Sequence, residues 1–315
     1  FLYSHSQILL HDLVLGRKFI NQSLFQLDKL IFLDSTYDST LHKHIFITGL
    51  ARSGTTALLY FLFKSKDLCS LTYANMPFVL SPNLFKNIKN LDYREAKRFH
   101  NDGIMFNNNS PEAFDEVFFK TFSKNEEYLE EYSNFINLVV TRYQKKRYLS
   151  KNNNNYKRIK FLSQKFHDSH ILICIRDPFD HSISLLNQHK NFLNLQRNNN
   201  FIRRYMNYLG HNEFGIDHKS WSNPKDFHSF DDINYWLEQW YFFYKQIKDY
   251  YINLCNIKIV PYKKLSDVLF MKRLCNDIEI DYIDFNFKIK KYSDNLFDKN
   301  LSKKCNDLYE YFINR

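Results

Sequence analysis

Residues 49–56 read GLARSGTT, between the apolar runs HIFIT and ALLYFLF. A strand, a glycine-bounded loop and a helix in that order aim backbone N–H groups and the positive helix end at an anion. Gly49 and Gly54 have the spacing of a Walker A loop, with Thr55 where a nucleotide triphosphatase places its phosphate-clamping lysine. Arg52, Ser53, Thr55 and Thr56 add one cation and three hydroxyl donors, enough to hold an anion of modest charge.

A second constellation follows the apolar run ILICI at 171–175, where Arg176-Asp177-Pro178 is succeeded by Ser184 eight residues on. Arg176 falls at the carboxyl end of a buried strand, the edge where open α/β sheets bind ligands. Arg176 and Ser184 can both donate to one phosphate. Alone, Arg-Asp-Pro is a common ion pair and turn; paired with the first loop it becomes specific.

The elements that must position these groups follow from apolar periodicity. One or two helices are expected over 5–33, a strand over 45–48, a helix over 55–64 and a short strand over 68–72. Ser110 and Pro111 read as the cap and first position of a helix over 111–122, followed by another over 125–144. Then come a strand end at 148–151, an asparagine turn, a helix over 156–166, a buried strand over 171–175 and a helix over 180–195. Residues 196–228 are polar and irregular, fit for an insertion or lid; a helix over 231–254, a strand over 257–260 and a helix over 300–313 complete the chain. Strands alternating with helices indicate an α/β, P-loop-like three-layer fold with a central, mainly parallel sheet. One domain spanning 1–315 is expected, opened by a helical segment over 1–40.

Of the 315 residues, 44% are hydrophobic and 18% aromatic, ample for one large core. The formal charge of +10 favours anionic partners, although an Asn/Lys/Ile/Phe-rich composition would produce the same excess. Five cysteines without a CxxC pair suggest neither a disulfide framework nor a zinc site and fit a reducing compartment, the cytoplasm. No run reaches the roughly 18 to 20 apolar residues of a membrane span. The first residue is Phe1 rather than Met, so the Golgi lumen is the expectation if an N-terminal anchor lies upstream.

Arg-Ser-Gly-Thr-Thr after the first strand, with Arg-Asp-Pro and Ser184 after a later one, resembles the two nucleotide-binding motifs of sulfotransferases that use 3′-phosphoadenosine 5′-phosphosulfate. The resemblance implies that Arg52, Ser53, Gly54, Thr55 and Thr56 hold the 5′-phosphosulfate, and that Arg176 and Ser184 hold the 3′-phosphate. VPYKKLSD at 260–267 is similar to the family's segment whose tyrosine lies near the adenine, which puts Tyr262 there. The implied reaction is sulfuryl transfer to a hydroxyl, releasing 3′-phosphoadenosine 5′-phosphate, in a bacterial-type member of the family. A sulfuryl group carries less charge than a terminal phosphoryl group, so one flexible cation and backbone amides can serve where a Walker lysine and Mg²⁺ are otherwise needed, and no metal is expected.

Sulfuryl transfer also needs a base for the acceptor proton and a cation at the departing bridging oxygen. Cytosolic relatives supply Lys-x-His after a middle strand; here Lys151 stands at the lysine position and Asn153 at the histidine position. Lys151 is therefore implied as the leaving-oxygen cation. Other relatives place a glutamate base about twenty residues after the first motif, but SLTYANMPF at 70–78 has no carboxylate. Two substitutes offer themselves. SPEAFDE puts Glu112 and Glu116 on one face of the expected helix, beside Asp115, and LGHNEFGIDH gathers His211, Glu213, Asp217 and His218 between glycines. The base is thus expected to be Glu112, His211 or His218. The acceptor is expected to be a carbohydrate or other extended polar molecule, with no nucleic-acid partner and no legible oligomeric state. Two rivals remain: a P-loop kinase or nucleotidase, opposed by Thr55 and by Arg176 where a metal-binding Asp would follow the strand; and a non-catalytic module binding acidic glycans or nucleic acid, for which no recognised motif appears.

Overall fold

The computed structural model describes residues 3–87, 96–97, 105–122, 128–292 and 297–315. Helices α1 (His5–Val14) and α2 (Lys18–Phe32) precede strand β1 (Ile45–Gly49), helix α3 (Thr55–Leu62) and strand β2 (Leu68–Cys69). A two-residue antiparallel pair follows, β3 (Ala96–Lys97) with β4 (Met105–Phe106). Then come α4 (Glu116–Phe122), α5 (Tyr128–Tyr143), β5 (Arg147–Lys151), α6 (Ile159–Lys165), β6 (His170–Ile175), α7 (Pro178–Asn198) and α8 (Asn200–Tyr208). The chain closes with α9 (Ile233–Tyr250), β7 (Ile257–Pro261), α10 (Val268–Asp277) and α11 (Lys299–Ile313).

Five strands form one sheet in the order β2-β5-β1-β6-β7, and every pairing in it is parallel. The strands are buried on both faces, and their side chains alternate between two cores. Phe46, Tyr148, Ile171, Ile173 and Ile175 face one cluster, with α2, α4, α5, α6, α7, α9 and α11. Ile45, Ile47, Leu149, Leu172 and Cys174 face the other, with α3 and α10. Helices on both faces of a parallel sheet make the expected three-layer α/β fold. β1 is central: the chain leaves it toward β2 on one side, and leaves its neighbour β5 toward β6 on the other. Such a switch point opens a crevice at the carboxyl ends of the strands, and Gly49, Lys151, Arg176 and Tyr262 stand at or just past the ends of β1, β5, β6 and β7.

Three expectations change. The helix expected from residue 111 starts at Glu116, because Pro111 bridges Thr72 and the Glu112 amide donates to the Leu71 carbonyl, which keeps this stretch extended. Glu112 and Glu116 therefore do not share a helical face. Residues 196–208 are helical rather than irregular: α7 runs to Asn198, and Asn199 then caps α8, accepting from the Phe201 and Ile202 amides. Helix α10 lies in a stretch given no element from sequence; Asp267 caps it, accepting from the Phe270 amide. Residues 125–127, expected to begin a helix, lie outside the described residues. Among the described residues no helix is long and apolar enough to cross a membrane.

Candidate active site

The loop after β1 is shaped by three residues with left-handed backbone, Gly49 (φ 149°), Arg52 (φ 73°) and Gly54 (φ 99°). Neither glycine can be replaced without displacement: a Cβ on Gly49 would meet the Cys174 carbonyl at 2.7 Å, and one on Gly54 would meet the Tyr262 ring at 2.7 Å. Arg52 adopts a backbone that costs an ordinary side chain about 1 to 3 kcal/mol, strain of the kind held at ligand sites. Gly54 caps α3 without a side chain to bond the first-turn amides, which leaves their N–H groups to a ligand. From below, buried His181 donates through Nε2 to the Ala51 carbonyl at 2.7 Å. Burial, reinforced by Arg176, lowers the His181 pKa to about 3, so this support is a neutral imidazole.

The second motif folds for local reasons. Asp177 caps α7, accepting from the Phe179 and Asp180 amides, and Pro178 occupies the first turn. Arg176 is thereby fixed at the end of β6 with 3% exposure, its guanidinium 4.5 Å from the Tyr262 ring centre. Nη1 donates to the Arg52 carbonyl at 3.4 Å and Nη2 to the Lys290 carbonyl at 2.7 Å, while Nε is buried without a partner. Ser184, buried on α7, accepts from Arg52 Nε at 3.3 Å across 132 residues of sequence. The two motifs thus meet. Between them and the segment 285–290 opens a cavity of about 290 Å³, walled by Arg52, Gly54, Thr55, Thr56, Arg176 and Tyr262. Ser53 and Ser184 are buried behind this wall. The opposite wall, with Lys288 and Lys290, was missed from sequence. Its signal was the basic run KIKK at 288–291, whose carbonyl at 288 and amide at 290 the Tyr262 hydroxyl bonds.

A smaller cavity, about 50 Å³, lies on the other side of the loop and shares Arg52, Thr55 and Thr56 with the first. Lys151, Glu112, His211 and Glu213 all line it, with Phe192, Met206 and Phe214 as apolar walls. Lys151 ends β5 with 6% exposure and lies 3.8 Å from Glu112. The Glu112 carboxylate also accepts from the Tyr73 hydroxyl at 3.1 Å and the Ala113 amide at 2.9 Å. Its expected companions go elsewhere: Glu116 pairs with Arg158, and Asp115 is buried among Tyr132, Tyr148 and Ser150.

The histidine-rich loop divides in the same way. His211 brings Nδ1 to 3.6 Å from Glu213, whose other oxygen accepts from Asn153 Nδ2 at 3.4 Å; Asn153 Oδ1 in turn accepts from the Thr55 hydroxyl at 3.4 Å. Burial would raise the Glu213 pKa, but His211 and Lys151 outweigh it and hold the carboxyl below its ordinary value. His218 is not part of this cavity. It bonds the Tyr235 hydroxyl and the Glu213 carbonyl, and burial lowers its pKa to about 4, so it is a structural imidazole. Asp217 pairs with Arg203 at the surface. Gly210 and Gly215 do not give this loop open space: a Cβ on either would collide with Glu116 or Gln196. Among the described residues no group of three or more His, Cys, Asp or Glu side chains could hold a metal ion.

Comparison with known proteins gives the class. The family model Sulfotransfer_3, described as the Sulfotransferase family, matches residues 44–213, from the residue before β1 to Glu213. The chain belongs to the sulfotransferase family. It is also similar to the solved sulfotransferase from Alicyclobacillus acidocaldarius, at 12% identity over 87% of this chain and 96% of that one, with a TM-score of 0.40. Sulfotransferase STF1 from Mycobacterium tuberculosis matches at 11% identity over 84% of this chain and 73% of that one, with a TM-score of 0.49. No curated protein matches.

Proposed function

We propose that this sulfotransferase moves a sulfuryl group from 3′-phosphoadenosine 5′-phosphosulfate to a hydroxyl of a carbohydrate or other extended polar acceptor. The observation that carries this reading is the meeting of the two motifs: Arg52 and Ser184 touch at 3.3 Å, and Arg52 and Arg176 wall one cavity. The residues fit this donor. Arg176 offers a buried Nε without a partner, suited to a phosphate, and Gly54 lets the Tyr262 ring pack against the loop where any Cβ would clash. In this reading the adenine lies by Tyr262, and Arg176 takes the 3′-phosphate. Ser184 joins Arg176 there when Arg52 turns to the sulfuryl group with the first-turn amides of α3 and the Ser53, Thr55 and Thr56 hydroxyls.

Transfer proceeds in line. The acceptor hydroxyl enters the smaller cavity and gives its proton to His211 as its oxygen bonds sulfur, while the bond from sulfur to the bridging oxygen breaks. Lys151 and Arg52 neutralise the charge that grows on that departing oxygen. Glu112, already accepting from Tyr73 and Ala113 and facing Lys151, serves to hold that lysine and is the weaker base. An adjoining pocket of about 240 Å³, with Asn154, Lys157, Asn212, Lys219 and Ser220 on its walls, supports an acceptor that extends beyond the reacting hydroxyl. The test is calorimetric titration with 3′-phosphoadenosine 5′-phosphate in the absence of metal, followed by transfer assays on a panel of glycans and phenols. Micromolar binding and preferential glycan sulfation are expected. Binding of ATP with Mg²⁺ in preference to this nucleotide overturns the reading.

A further inference from the structure

The family's Lys-x-His pattern ends here as Lys151-x-Asn153, and the structure shows what Asn153 does instead. Its amide nitrogen donates to Glu213 at 3.4 Å, its amide oxygen accepts from Thr55 of the anion loop at 3.4 Å, and its backbone carbonyl accepts from the Thr48 hydroxyl at 3.2 Å. Both ends of the side chain are engaged, so its orientation is fixed. Glu213 is buried, with one oxygen toward Asn153 and the other 3.6 Å from His211 Nδ1. The His211 ring therefore comes from the wall formed by the loop after α8, yet is tied through Glu213 and Asn153 to the loop after β1.

We infer that Glu213, oriented by Asn153, is a positioning residue that fixes the His211 ring with Nδ1–H toward the carboxylate and Nε2 toward the acceptor. This rests on the reading of His211 as the base and names what makes it one. A neutral imidazole has one donor and one acceptor nitrogen. A carboxylate beside Nδ1 selects the form whose lone pair is on Nε2, and stabilises the imidazolium formed when Nε2 takes the acceptor proton. The other charged groups facing His211 are Lys151, Glu112 and Arg52 around the cavity, with Glu116 and Lys120 against the neighbouring Gly210. Glu112 faces Lys151 at 3.8 Å, and the Glu213 carboxylate faces the His211 ring at 3.6 Å. The Lys151 charge also favours the carboxylate form of Glu213.

The experiment is nitrogen-15 NMR of the histidine rings in the full-length protein, with the His211 signals assigned by their loss in His211→Ala. In the wild type the neutral His211 ring is expected in the Nδ1–H form. Glu213→Gln, which keeps the shape and removes the charge, is expected to move it toward Nε2–H. It is also expected to cost on the order of 10²-fold in kcat, within the range of a general base, while the nucleotide Kd is unmoved and certifies the fold. Asn153→Ala is expected to shift the ring part of the way. An unchanged tautomer in Glu213→Gln, with kcat unchanged, overturns the inference even if His211→Ala is inactive. If instead Glu213→Gln shifts the tautomer but His211→Ala transfers sulfate normally, the positioning stands and the base is another residue.

Discussion

The two sides of the loop at 49–56 are built by different means. On the side proposed for the donor, the groups are backbone amides, a left-handed glycine and an arginine one residue past a strand, each placed by its own local geometry. On the acceptor side the working groups are side chains from three separate segments, Glu112 before α4, Lys151 at the end of β5 and His211 with Glu213 beyond α8, which meet only after folding. The side proposed for the donor presents the guanidinium groups of Arg52 and Arg176 to its cavity. On the side proposed for the acceptor, Lys151 faces Glu112 and His211 faces Glu213. The difference teaches that an anion site can be written in two short motifs, whereas a proton-transfer site is specified by contacts between single distant residues.

The comparison is tested most severely at Lys151. Lys151→Ala removes the cation proposed for the departing oxygen and the charge facing buried Glu112, yet touches no wall of the larger cavity. A loss of 10² to 10³ in kcat, roughly the value of one electrostatic contact in a transition state, is expected with nucleotide affinity unchanged, measured by single-turnover transfer and calorimetry. A parallel loss of affinity would show that the two sides are not separable. Next in size is Arg176→Ala. Removing the charged donors to a phosphate is worth about 3 kcal/mol, about a hundredfold in Kd, and the defect is expected in binding of 3′-phosphoadenosine 5′-phosphate rather than in transfer at saturating donor.

Gly54→Ala sharpens the same contrast at about 2 kcal/mol, from a strained φ and a 2.7 Å approach to Tyr262. Adding Tyr262→Ala should relieve the clash and recover stability in part, read as the midpoint of urea unfolding, while donor affinity stays low because the φ of 99° remains unfavourable for alanine and the ring beside Arg176 is gone.

How much of this was legible in the sequence follows the same division. The five strands of the parallel sheet and the glycine-bounded turn between β1 and α3 could be read because each depends on neighbours in the chain: apolar runs and a glycine spacing. The helix at 111 could not, because Pro111 pairs with Thr72 and the Glu112 amide with Leu71, which outweighs a good local cap. Helix α8 was hidden by its polarity, with a narrow buried stripe of Phe201, Ile202 and Met206 under a basic face. His211 and His218 carry the same local signal, and only their partners tell them apart: a carboxylate in a cavity for one, a tyrosine in the core for the other. Asn153 read as a missing histidine and proves to be a bridge.

A last contrast concerns acid, and it has the smallest expected effect. Two histidines are fully buried at opposite ends of the sheet, His181 beneath the donor loop and His44 ahead of β1, and burial is the first cause of the low pKa of each, about 3. His44 donates through Nε2 to the Ser39 carbonyl and accepts at Nδ1 from the Tyr148 amide, so protonation would replace an acceptor with a donor facing an N–H. Both folded-state values lie below the unfolded value of 6.5, so the stability they contribute is present above pH 6.5 and is lost as pH falls toward 3. Each histidine adds at most about 1.4 kcal/mol per pH unit to that loss. In urea titrations from pH 7 to pH 5, His44→Gln should start less stable but fall less steeply than the wild type, with nucleotide affinity at pH 7 unchanged. His181→Gln should flatten the slope equally and weaken nucleotide binding as well, because its imidazole holds the Ala51 carbonyl of the loop. Equal nucleotide affinity in the two variants would mean that the donor loop keeps its shape without support from beneath.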